Sequence, residues 1–265
     1  MKFDPLFVSH GSPMLALEQG PAAHFLRQLG RELPRPRAIL VGSAHWETEV
    51  PTVNSVTTNE TIYDFRGFPA ELSALRYPAP GAPTLAARVA ELLTEARFPV
   101  MVDERRGLDH GAWVPLILGW PDADVPVIEL SVQTQLGPEH HLRIGKALRP
   151  LADEGVLILG SGSFTHDLSS WRLGRDEPDW VSEFAQWMDE AIAGERIDDL
   201  LNYRRLAPFA ARNHPTEEHL LPLFVALGAA ASAAQAKRIH SSVEHGVLRM
   251  DAYRFGVPDG QSQMR

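Results

Sequence analysis

The 265-residue chain reads as one α/β domain, a mostly parallel central sheet flanked by helices. Three observations predict this. Short apolar runs alternate with amphipathic stretches along the whole chain. The runs are nearly continuous in Val, Ile and Leu rather than alternating, as strands covered on both faces are. No repeat, low-complexity tract or linker divides them, so the domain is expected to span residues 1–257, followed by a polar tail at 258–265.

The first run, Pro5–Ser9, ends at His10-Gly-Ser-Pro13, and the second, Ala38–Ala44, ends at His45-Trp46. Pro83 suits a first helical position, with Leu85, Val89, Leu92 and Ala96 following at helical spacing. Val125–Val132 is a third strand. Ile144, Leu148 and Leu151 then stripe a helical segment after Gly137. Val156–Gly160 is a fourth strand, running into Gly160-Ser-Gly-Ser-Phe-Thr-His166. Val181, Phe184, Met188 and Ala191 mark another helix. Pro215 is expected to open the last one, with a kink at Pro222 and an end at Gly228. Leu248–Arg254 alternates as a half-exposed strand does.

Composition excludes several chemistries. The chain has no cysteine, which removes disulfides, thiolate metal sites and cysteine nucleophiles. A net charge of −9 argues against a nucleic-acid or anionic-membrane partner, both of which need a basic footprint. The apolar run from Leu220 to Ala231, broken by Pro222, is too short to span a bilayer. Asp4 and Pro5 come too early for a signal peptide, so a cytoplasmic location is expected. There is no G-x-S-x-G elbow, Walker loop or H-E-x-x-H helix.

The unusual feature is eleven histidines. Two strands deliver one each at the carboxyl end, His10 and His45, where ligand crevices of open α/β sheets lie. Imidazoles from two strands aimed at one crevice suit a borderline divalent metal. His166 follows the fourth strand towards the same crevice, and glycines 160 and 162 allow backbone to approach a ligand closely. His110, in Leu108-Asp-His-Gly-Ala-Trp113, is either a donor to substrate or a partner of Asp109 in a structural turn. Glu218 and His219 are adjacent, about 100° apart on the expected helix, so one of them at most faces a given metal. A two-histidine, one-carboxylate site uses Glu218 and a three-histidine site uses His219; spacing does not choose. His24, His140, His141, His240 and His245 are assigned to solvated faces or structural hydrogen bonds, and His214 to shaping the start of its helix.

These motifs occur together and in order: His10-Gly-Ser-Pro13, Ser43-Ala-His-Trp46, Tyr63-Asp-Phe65 with Gly67-Phe-Pro69, Tyr77-Pro-Ala-Pro-Gly81, Asp109-His-Gly-Ala-Trp113, Gly160 to Leu168, and His214 to Pro222. The set, from residue 7 to about 256, resembles the DODA-type (4,5-DOPA dioxygenase extradiol-like) branch of the class III extradiol ring-cleaving dioxygenases. That branch is related to the catalytic subunit of protocatechuate 4,5-dioxygenase.

The resemblance implies one divalent metal per chain, held by His10, His45 and His219, with His166 as acid/base and His110 near the substrate. It implies a DOPA-like catechol and O₂ as substrates. Fe(II) is the metal expected for activity, because redox-inert Zn(II), an expected occupant of the isolated protein, passes no electrons to O₂. Trp46, Tyr63, Phe68, Trp113 and Phe164 lie in the motifs as candidates to sandwich the ring, with core packing as the competing role. Glu218 is the candidate to orient a ligand histidine. Two other readings use the same residues: a zinc hydrolase, and a non-enzymatic binding protein of the memo type. Oligomeric state is not legible.

Overall fold

The computed structural model describes residues 1–171, 176–231 and 236–256. Ten strands run in chain order: β1 Leu6–Ser9, β2 Ala38–Glu47, β3 Thr52–Asn54, β4 Met101–Asp103, β5 Val127–Val132, β6 Val156–Gly162, β7 Ala236–His240, β8 Val243–Glu244, β9 Leu248–Arg249 and β10 Ala252–Phe255. Eight form one sheet in the order β4-β3-β5-β2-β6-β1-β10-β7, and β8-β9 form a separate hairpin. The centre, β5-β2-β6-β1, is parallel throughout; β10 joins β1 antiparallel and β7 joins β10 antiparallel. The last strand to form the parallel core, β6, therefore lies between the first two.

Pleat alternation feeds both faces. Ile39 and Val41 of β2 pack with Leu157 and Leu159 of β6 under the helices Pro21–Glu32 and His110–Gly119. Ala38 and Leu40 pack with Val156 and Ile158 against the helices Pro83–Glu95, Gly137–Leu148 and Leu221–Ala229. Each fully buried Leu, Ile or Val contributes roughly 1.5–3 kcal/mol over leaving it in water. A third cluster, with Phe7, Phe164, Phe184, Phe224 and Tyr253, fills the space under the helix Asp179–Ala193.

Three sequence expectations need correction. The last helix begins at Leu221 rather than Pro215, and Pro222 sits in its first turn, where a missing N–H costs nothing. Gly228 lies inside this helix instead of ending it. A Cβ there would stand 2.1 Å from the Leu142 carbonyl oxygen, and one at Gly145 would stand 2.1 Å from that of Val225, so the two glycines let the helices touch backbone to backbone. The C-terminal strand is broken into β9 and β10 around Met250-Asp251, and Ala252, Tyr253 and Phe255 are buried, not half-exposed. The expected tail from Pro258 lies outside the described residues.

Candidate metal centre

The sheet order brings the histidines together. His10 follows β1 and His45 lies near the end of β2, so both flank the carboxyl end of β6. Glycine at 162 lets a third histidine come over that end: a Cβ at Gly162 would lie 2.0 Å from the His219 carbonyl oxygen, and one at Gly160 would lie 2.2 Å from that of Pro222. The close approach expected at these glycines is thus made by the chain's own backbone. Ser163 N donates to His219 O at 2.8 Å, which fixes the approach.

The three rings converge through the same nitrogen. His10 Nε2 lies 3.0 Å from His45 Nε2, which lies 3.2 Å from His219 Nε2. Nitrogens bound to one metal at about 2.1 Å stand roughly 3.0–3.4 Å apart for tetrahedral to octahedral angles. The opposite nitrogens explain the orientation. Ser161 Oγ donates its only proton to Gly111 O at 2.5 Å, so its oxygen accepts from His10 Nδ1 at 3.1 Å. His219 Nδ1 donates to Glu218 Oε1 at 2.9 Å. His45 Nδ1 faces Asp64 Oδ2 at 3.7 Å. With Nδ1 carrying the proton on His10 and His219, both present an Nε2 lone pair towards His45 Nε2.

Burial keeps the rings neutral. Desolvation, then the neighbouring imidazoles, push His10 and His219 well below the ordinary histidine value, and His45 is pushed down to about 4. Neutral imidazoles whose Nε2 atoms meet at 3.0–3.2 Å are spaced to share one cation. The donor set therefore fits a single divalent ion.

The remaining site residues surround this point. The ligand atoms of His110 lie within 4.8 Å of those of His10 and His45, and its ring centroid is 3.8 Å from that of His45. Asp109 does not pair with His110. It is the N-cap of the helix His110–Gly119, accepting from Ala112 N at 3.2 Å, and it takes further bonds from Ser43 Oγ at 2.7 Å and Arg106 Nη2 at 2.8 Å. The fully buried Glu129 accepts from Asp109 N at 3.1 Å; burial and the Asp109 charge push its carboxyl well above the usual range. His110 pairs instead with Asp64, which accepts from both its Nδ1 (2.9 Å) and its backbone N (3.1 Å). His166, anchored by its N–H to Asn213 O, stacks on His219 with centroids 3.4 Å apart; desolvation pushes it down to about 4. Its ring has no hydrogen-bond partner among the described residues.

A crevice of about 210 Å³ opens onto His45, His110, His166 and His219. Its apolar walls are Pro13, Phe65, Phe68, Leu168, Trp171 and Leu248. Of the aromatic candidates, only Phe68 lines it. Trp46 is buried outside the crevice, with the Arg106 guanidinium 4.4 Å above its ring. Phe164 is in the core against Phe7 and Tyr253. Tyr63 and the fully buried Trp113 stand behind Phe65, at 6.1 and 6.2 Å. His214 is buried away from the crevice and donates from Nε2 to Phe164 O at 3.0 Å. Sequence reasoning missed Asp64, Ser161, Phe65 and Trp171. Asp64 and Phe65 stood within a quoted motif, where the aspartate beside two aromatics was the available signal.

The fold and site define a class: an α/β domain whose histidine cluster could hold one metal ion at the floor of an aromatic-walled crevice. The family described as the catalytic LigB subunit of aromatic ring-opening dioxygenase matches residues 4–256. The chain is 46% identical over 257 residues to the 4,5-DOPA dioxygenase extradiol of Beta vulgaris, covering 95% of this chain and 96% of that one. It is 40% identical over 230 residues to the protein of the same name in Escherichia coli K12, covering 84% of each. The crystal structure of an uncharacterized Escherichia coli K12 protein superposes with a TM-score of 0.82 at 34% identity, covering 96% of this chain and 100% of that one. The chain belongs to the LigB family of aromatic ring-opening dioxygenases and is an extradiol-type dioxygenase. Neither the hydrolase nor the memo-type reading is favoured by these relatives. Among the described residues, no helix is long and apolar enough to cross a membrane.

Proposed function

We propose that the enzyme cleaves a DOPA-like catechol beside its two hydroxyls, using Fe(II) held by His10, His45 and His219. The observation that carries this is the convergence of three Nε2 atoms at 3.0 and 3.2 Å on the floor of an aromatic-walled crevice. The substrate class follows from relatives named for 4,5-DOPA and from a crevice sized for one ring.

Fe(II) on three neutral ligands would keep its full +2 charge, favour the ionised catechol and pass electron density from the ring to O₂. The chain's own groups handle protons and position. His166 is neutral, lines the crevice and has no hydrogen-bond partner on its ring among the described residues, so it accepts a proton from the second catechol hydroxyl and returns one later. His110 presents its free nitrogen to a substrate oxygen. Glu218 holds His219 in the tautomer that leaves Nε2 available. Phe65, Phe68 and Trp171 flank the ring and exclude water.

The test is to load metal-free protein anaerobically with Fe(II), add a panel of catechols including DOPA, and admit air. Oxygen uptake with a new visible chromophore from the ring-opened product is expected. No uptake with any catechol overturns the reading.

A further inference from the structure

Asp64 touches two histidines of the site at once. Its Oδ1 accepts two hydrogen bonds from one residue, His110, through backbone N at 3.1 Å and ring Nδ1 at 2.9 Å. Two bonds to one oxygen fix both the start of the helix His110–Gly119 and the rotation of its first side chain. Its Oδ2 faces His45 Nδ1 at 3.7 Å. A backbone N–H can only donate, so Oδ1 is an acceptor toward His110 whatever its charge.

Asp64 is also held in place. On one side Trp113 Nε1 donates to Ile62 O at 2.9 Å and Tyr63 Oη to Leu75 O at 2.5 Å. On the other, Phe65 meets the His110 ring edge-on at 5.7 Å and lines the crevice with Phe68.

We propose that Asp64 is a positioning residue for ring cleavage: it holds His110 as the Nδ1–H tautomer, so that Nε2 offers a lone pair to a substrate hydroxyl. The role depends on the ring-cleavage reading for its purpose, but the orientation is a property of the resting protein. The same Oδ1 already accepts from a backbone N–H, so Nδ1 at 2.9 Å is its second donor, and Nε2 is left as the His110 ring nitrogen without a partner among the described residues, on a crevice-lining histidine. A hydroxyl entering the crevice meets an acceptor rather than a second donor. The same carboxylate ties the loop bearing Phe65 and Phe68 to the metal edge, so ring wall and ring acceptor stay in register.

The test has two readouts. Ring ¹⁵N NMR of the zinc-loaded protein reports the tautomer without any turnover. His110 is expected as Nδ1–H in the wild type, retained in Asp64→Asn, whose amide oxygen still accepts, and lost in Asp64→Ala. Asp64→Ser, too short to reach Nδ1, replaces the alanine variant if that one does not fold. With Fe(II) and a catechol, Asp64→Ala should lower kcat by roughly 10- to 100-fold, with Asp64→Asn recovering most of it. In a His110→Ala background, removing Asp64 should cause little further loss. An unchanged His110 tautomer in Asp64→Ala or Asp64→Ser overturns the proposal, as does the same fold-loss in the His110→Ala background. If the wild type cleaves no catechol, the ring-cleavage reading fails, and the tautomer measurement still decides what Asp64 does.

Discussion

His219 and His141 are both buried, and burial pushes both imidazoles below their ordinary value; they differ in what their nitrogens meet. His141, in the helix Gly137–Leu148, donates from Nδ1 to Gly137 O at 2.7 Å and accepts at Nε2 from Gln133 N at 3.0 Å. Both nitrogens are used up by backbone. His219 donates from Nδ1 to Glu218, and its Nε2 meets, among the described residues, only another histidine. Burial and a depressed pKa therefore do not mark a functional histidine. A second nitrogen without a protein donor does.

This contrast can be broken from either side. His45→Ala removes the middle of the three converging nitrogens and should abolish stoichiometric metal binding, measured by elemental analysis, together with turnover. His166→Ala should bind metal as the wild type does yet lose about 10²–10⁴-fold in ring cleavage, the usual worth of a general base; turnover near wild type would remove His166 from its role. Glu218→Gln keeps an acceptor but loses the charge, and should weaken metal affinity by roughly 10-fold in chelator competition.

His141→Leu belongs to the other side. It strands the Gln133 N–H and Gly137 carbonyl, at about 1–3 kcal/mol for each buried group. Urea unfolding should show that loss, with kcat per folded molecule unchanged. The variant should also change the acid response. His141 is pushed down to about 3 in the folded chain, against an ordinary value near 6.5, so the unfolded chain binds the proton first. Stability present above pH 6.5 is lost as pH falls towards 3, and this share of the acid slope should vanish in His141→Leu.

Much of the architecture was legible because the four core strands are long apolar runs and the Pro83 and Val181 segments have clear helical stripes. Three-residue strands such as Thr52–Asn54 and the charged edge strand Ala236–His240 carry no such pattern; neighbours, not composition, make them strands. His10 and His45 were legible as strand-end residues. The choice between Glu218 and His219 was not, since it assumed a helix from Pro215. In the folded chain these residues form a turn before the helix, and Glu218 accepts from His219 Nδ1 at 2.9 Å. Of the aromatic wall the sequence offered Phe68 but not Phe65 or Trp171, because tertiary packing decides whether an aromatic in a motif faces core or crevice, as Phe164 and Phe65 illustrate.

The backbone contact at Gly162 has a consequence for how such an enzyme diversifies. His219 is seated by main chain lying on main chain, so its position follows the sheet more than the choice of side chains in the core. The crevice walls at Phe65, Phe68, Leu168 and Trp171 hang on segments between strands and helices. Substitutions there would reshape the crevice without moving the backbone that seats His219. A glycine of no chemical reactivity thus separates what must stay constant in the catalyst from what is free to drift.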